Sequence, residues 1–156
     1  MERDIVIAAI MRRIGAIMSA KKIAVRYYSK TGNTQKLAER IAAVAGCKAE
    51  TTDLDLNEKV DILFLGASVY WAGIDKNVKN YIERMDKNLV GKVVVFSTSA
   101  LAERAFPSMK KHLSARKIKV VAEDFYCRGQ FASVHRGKPD EKDLVAAEEF
   151  TRRIIK

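Results

Sequence analysis

The segment Ser29-Lys30-Thr31-Gly32-Asn33-Thr34 sets three hydroxyls, an amide and a lysine around one glycine. Its chemistry is that of an anion cradle. Successive backbone N–H groups at a helix N-terminus, joined by hydroxyls, surround a phosphate dianion, and a glycine lets the backbone approach closely. Ordinary capping by Ser, Thr and Asn accounts for any one of these hydroxyls but not for six such residues together. No Gly-Lys-Ser/Thr follows, so the loop is not that of a nucleoside-triphosphatase, and the GxGxxG dinucleotide fingerprint is absent.

Two further segments have the composition of ligand loops. Ser68-Val69-Tyr70-Trp71-Ala72-Gly73 ends a long apolar run, and Tyr70 and Trp71 offer flat faces to a planar ligand, against the alternative that Trp71 packs under a helix. Ser97-Thr98-Ser99-Ala100 offers hydroxyls to a polar edge. Cys127, in the run from Tyr126 to Phe131, reads as a buried inert thiol rather than a reactive one. Two cysteines and two histidines do not make a four-ligand zinc site unaided, His112 and His135 read as surface residues, and no catalytic residue or metal site is assigned.

These loops need elements to hold them. Strands are expected over residues 22–28, 48–53, 60–66, 92–96 and 118–126. Helices are expected over 35–45, 76–87, within 101–115 around Pro107, and from Pro139-Asp140-Glu141 onward. The runs at 60–66 and 92–96 are almost wholly apolar, as in strands covered on both faces of a parallel sheet. Alternation of strand and helix predicts a doubly wound, three-layer α/β/α sheet, with the ligand beyond the strand C-terminal ends. All three loops fall at that edge.

The whole chain has 156 residues, enough for one domain, with 48% hydrophobic and 31% charged residues. Its 29 Lys and Arg exceed 19 Asp and Glu by 10, which draws the surface to anionic partners. No apolar run approaches the roughly 20 residues of a membrane span. Two cysteines fit reduced thiols and a cytoplasmic setting. Residues 1–17 form an oily extension before a domain at 18–156. They read either as an amphipathic docking helix or as an upstream stretch ahead of a true start at Met18, and they lack the basic opening of a signal peptide. From Arg104 to Lys119 six basic residues occur with no acidic one.

The run from Val25 to Thr34, followed by Ala38 and Ile41, resembles the strand, phosphate loop and helix of the flavodoxins. Leu65 to Gly73 is similar to the loop beside the flavin ring in that family, and Pro139-Asp140-Glu141 to the start of its last helix. The resemblance covers residues 21–156 and implies a flavodoxin-like fold with a five-stranded parallel sheet of order 2-1-3-4-5. It implies FMN as cofactor, held by residues 29–34, 68–73 and 97–100, with Gly73 lending backbone freedom near the flavin N5. It also implies single-electron exchange with redox proteins, here acidic ones docking around Arg104 to Lys119.

The unbroken last strand resembles short-chain members of the family. Arg26 departs from the pattern, and so does the third loop, which has hydroxyls where relatives have an aromatic and acidic residues. A chain of charge +10 is expected to make its reduced flavin a weaker reductant than an acidic relative does. An FMN-dependent reductase using a nicotinamide and a quinone, and a flavin-free binding module, are the alternative readings. Nucleic acid is disfavoured, because no interleaved aromatic and basic platform exists.

Overall fold

The computed structural model describes residues 2–70, 73–101 and 104–156, with the side chains of residues 15–19 and 70 excepted. In chain order the elements are α1 (Glu2–Ser19), β1 (Ile23–Tyr27), α2 (Asn33–Ala45), β2 (Ala49–Thr51), β3 (Val60–Tyr70), β4 (Gly73–Ile74), α3 (Lys76–Arg84), β5 (Val90–Ser99), α4 (Phe106–Ala115), β6 (Phe125–Arg128) and α5 (Glu141–Ile155). The main sheet runs β2-β1-β3-β5-β6 with every neighbour parallel, which is the expected order 2-1-3-4-5 for five principal strands. The two-residue β4 adds an antiparallel partner to the end of β3, pairing Val69 with Ile74 and Tyr70 with Gly73.

Side chains of β1, β3 and β5 alternate between two cores. Val25, Tyr27, Ile62, Phe64, Val94 and Phe96 pack with Leu37, Ile41, Ala147 and Phe150 beneath α2 and α5. Leu63, Leu65, Val93 and Val95 pack with Val78, Ile82, Met109 and Leu113 beneath α3 and α4. Burial on both faces explains why these strands read as continuous apolar runs. Arg40 of α2 grips Glu141 of α5 through both guanidinium nitrogens, at 2.8 and 2.9 Å, and also reaches Glu148 at 2.9 Å. Asp140 and Asp143 close a reciprocal capping box at the start of α5.

Several boundaries differ from the expected ones. β3 and β5 run on to Tyr70 and Ser99, because parallel pairing with each other continues through the polar residues at their ends. α3 stops at Arg84, and a short 3-10 turn, Lys87–Leu89, follows. α4 begins at Phe106, so Pro107 sits in the first turn, where its missing N–H costs nothing. The last strand is not unbroken. Val120 pairs with Val93 and Phe125 with Phe96, so three residues along β5 oppose five along the edge, and two residues bulge out before β6.

Arg26 has a structural explanation. The crossover from β2 to β3, residues 52–59, has no helix, and β1 would lie bare on the α3 side without a cover. Arg26, buried in β1, donates from Nε to the Leu54 carbonyl at 2.7 Å and from Nη2 to that of Asp55 at 3.5 Å. Arg84 donates to the Asp55 carboxylate at 2.7 Å and to the Thr52 carbonyl, while its guanidinium lies 5.0 Å from the Tyr81 ring centroid. Two arginines therefore bind the strap that a helix covers elsewhere in the fold. Arg26→Leu strands the Leu54 and Asp55 carbonyls, and a loss of about 1–3 kcal/mol in urea unfolding is the expected result.

Candidate functional site

Gly32 is the residue before α2, with φ +91, a left-handed conformation that glycine adopts without strain. Its N–H donates to Ser29 Oγ at 3.0 Å, which curls the loop, and its carbonyl accepts the N–H of Lys36 at 3.1 Å. The N–H groups of Asn33, Thr34 and Gln35 therefore precede the first intrahelical bond and point out of the helix end. With the exposed Thr31 and Lys30 beside them, they form a cationic, donor-rich terminus suited to a phosphate.

What fixes this terminus over the sheet is a buried cluster of hydroxyls. Thr34 Oγ1 lies 2.6 Å from Ser68 Oγ and 2.9 Å from Thr98 Oγ1. Ser68 and Thr98 are direct neighbours across β3 and β5 and share the face toward α2. The odd-numbered residue next door faces the other way. Ser97 Oγ accepts the Ala105 N–H at 3.2 Å, on the α4 side, and lies outside the cavity.

A cavity of about 260 Å³ opens at the C-terminal edge of the strands. Of the expected site residues, Thr31, Asn33, Ser68, Val69, Thr98, Ser99 and Ala100 line it. Ser29, Lys30, Gly32 and Thr34 build the loop and helix start behind or beside it. Gly73, with φ +99, pairs with Tyr70 in the β3-β4 hairpin. Trp71 and the Tyr70 side chain, which carried the expected ring stacking, lie outside the described residues, as does Ala72.

The same cavity gathers residues outside the expected cofactor-binding set: Leu101, Gly129, Gln130 and Phe131. Asn33 Nδ2 donates to the Gln130 carbonyl at 2.8 Å, tying the loop after β6 to the start of α2. Gln130 in turn clasps its own loop, its amide oxygen accepting the Gly137 N–H at 2.9 Å and its backbone N–H donating to Lys138 O at 2.9 Å. The available signal was position alone, since residues 129–131 follow the last strand at the ligand-bearing edge.

No side chain named in this lining is charged. Cys127 is buried in the α2/α5 core, and burial pushes its thiol up to about 12. Cys47 is half-buried, and burial raises its thiol too. No group of three or more His, Cys, Asp or Glu placed to hold a metal occurs among the described residues. Within the basic stretch, Arg104 pairs with Asp124 at 3.2 Å, and Arg116 donates to the Ile82 and Glu83 carbonyls at the end of α3, at 2.6 and 2.5 Å. Lys110, Lys111, Lys117 and Lys119 remain exposed.

A parallel sheet of this order, with a phosphate-type helix start and a cleft at its C-terminal edge, defines a flavodoxin-like α/β/α protein. The family model for the flavodoxin domain matches residues 24–148, and the chain belongs to that family. An uncharacterized protein of Methanocaldococcus jannaschii is 24% identical over 138 residues, spanning 80% of this chain and 91% of its own length. A flavodoxin from the domain Archaea superposes with a TM-score of 0.68 at 15% identity, covering 86% of this chain and 96% of its own. A flavoprotein of Lactobacillus acidophilus in complex with FMN superposes with a TM-score of 0.53 at 23% identity, over 70% and 93% of the two chains.

Thr34→Val removes the central hydroxyl and is expected to lower stability by about 1–2 kcal/mol in chemical denaturation, because Ser68 and Thr98 lose their shared partner. The Cys127 thiol is expected to resist alkylation in the native protein while Cys47 reacts first, as read by mass spectrometry of timed samples. Its folded pKa is raised from an ordinary 9.0 to about 12, so its contribution to stability is complete below pH 9 and lost as the pH rises toward 12. A denaturation midpoint that does not fall over that window would contradict the assignment.

Proposed function

We propose that this chain binds FMN at the α2 terminus and cavity and carries single electrons between redox proteins. The observation that carries this reading is one continuous site: outward N–H groups at Asn33 to Gln35 adjoin a cleft whose described lining residues are neutral and partly apolar. The donor set suits a phosphate dianion. Val69, Leu101 and Phe131 give the cleft apolar surface for a flat ring system, and Ser68, Thr98 and Ser99 give it hydroxyls for polar edges. When bound, the flavin supplies one-electron chemistry, and the protein binds it, orients it and excludes water.

Leu101 and Phe131, 54% and 40% exposed, stand at the mouth of this cleft. Lys30 is exposed in the loop beside it, so an acidic redox partner is favoured there. Within a chain of charge +10, none of the described lining residues is a carboxylate of the kind that penalises an anionic reduced flavin. The reduced cofactor is accordingly a milder reductant than in an acidic relative.

Titration of flavin-free protein with FMN, followed by Trp71 fluorescence and flavin absorbance, is expected to give one site with a Kd below about 1 µM. Stepwise reduction under argon should then resolve two one-electron steps. Reduction in a single two-electron step would favour a reductase, and no binding at micromolar protein would leave a flavin-free module. Thr31→Val should weaken FMN roughly tenfold and leave riboflavin, which lacks the phosphate, unaffected. Equal losses for both ligands would remove the phosphate from this loop.

A further inference from the structure

We infer that α1 is an interfacial anchor that lies on an anionic lipid surface and tethers the domain by the edge of the sheet opposite the cavity. Ile5, Val6, Ile7, Ile10, Met11 and Ile14 are 44–69% exposed, and residues 2–14 are exposed throughout. Ile7, Ile10, Met11 and Ile14 fall at the i, i+3, i+4, i+7 spacing of one helix face. Neither hydrophobic core of the domain includes any of them. An apolar face this exposed is one that water disfavours and a partner covers.

Charge selects the partner. The segment from Glu2 to Lys22 holds Arg3, Arg12, Arg13, Lys21 and Lys22 against Glu2 and Asp4. Lys117 and Lys119 enter the fifth strand position at the same edge where Lys21 and Lys22 lead into β1, and the Lys21 ammonium donates to Lys156 O at 3.3 Å. A second copy would set the same excess of basic over acidic residues in this segment against itself, so pairing through α1 is opposed by charge, whereas lipid phosphates complement it.

The helix lies on such a surface rather than crossing it. Arg12 and Arg13 interrupt its apolar sequence, and no helix among the described residues is long and apolar enough to cross a membrane. Because β1 begins at the N-terminal edge and the cavity lies beyond the C-terminal ends, the anchored domain presents its cavity away from its tether. The four strand-entry lysines thus acquire a role distinct from the cleft mouth, where a redox partner is met.

The test is flotation of the full chain with vesicles of phosphatidylcholine and phosphatidylglycerol, at about 3:1, and with phosphatidylcholine alone. Partition to the anionic vesicles is expected to be at least about tenfold greater, and to weaken at about 0.5 M salt. The variants Ile7→Asp/Ile10→Asp/Ile14→Asp and Arg12→Gln/Arg13→Gln should each lose about tenfold, with the melting curve of the domain unchanged because these side chains lie outside its cores.

Absence of the chain from the anionic fraction would overturn the inference. So would undiminished binding by the aspartate variant, which would reduce the contact to adsorption of a basic protein. A dimer in sedimentation equilibrium that the aspartate variant splits and vesicles do not compete for would assign α1 to a second copy instead. Flotation needs no flavin, so its outcome is independent of the FMN titration.

Discussion

Thr34 Oγ1 meets Ser68 Oγ and Thr98 Oγ1 in a space closed to water, and the position of the whole site follows from that contact. A buried hydroxyl without a partner is costly, so the first turn of α2 is held where Thr34 reaches the ends of two central strands. That requirement aligns the outward N–H groups of the helix with the cleft between the strand ends. The link from Asn33 to Gln130 then brings the loop after β6 to the same place. Helix terminus and cleft form one surface because one side chain at the start of α2 faces inward and its neighbour faces sideways.

None of the described residues lining this surface is charged, and charge is distributed around it. The lining contributes hydroxyls, amides and apolar groups, while most of the excess lysine lies elsewhere. Several arginines are occupied structurally: Arg26 and Arg84 hold the helix-free crossover, Arg40 joins α2 to α5, Arg116 satisfies carbonyls at the end of α3, and Arg104 pairs with Asp124. A guanidinium suits these tasks because its planar fork serves two acceptors at once. Net charge alone therefore overstates how much of the basic surface is available to partners.

The mouth of the cleft and the entry of α1 lie at opposite edges of the sheet. Parallel strands enforce this separation, since every strand enters at one edge and leaves at the other. A tether at the entry edge therefore leaves the ligand edge accessible. The same polarity places the N-termini of the helices that follow the strands at the ligand edge, which is where an anion benefits from them.

The local pattern determined the fold class, the central strands and the turn that opens α2, because two-sided burial and a Ser/Thr/Gly-rich turn leave marks within ten residues of chain. It also singled out Ser68 and Thr98 as candidate site residues, although nothing local showed that both would meet Thr34. The bulge before β6, the length of β3 and β5 and the service of Arg26 to the crossover were decided only by the tertiary structure. Each depends on what a distant strand or loop presents across a hydrogen bond, and neither periodicity nor composition records that. Leu101 and Phe131 illustrate the same division, being ordinary apolar residues in sequence that reach the cleft because the β6 edge and the α2 terminus are bound together.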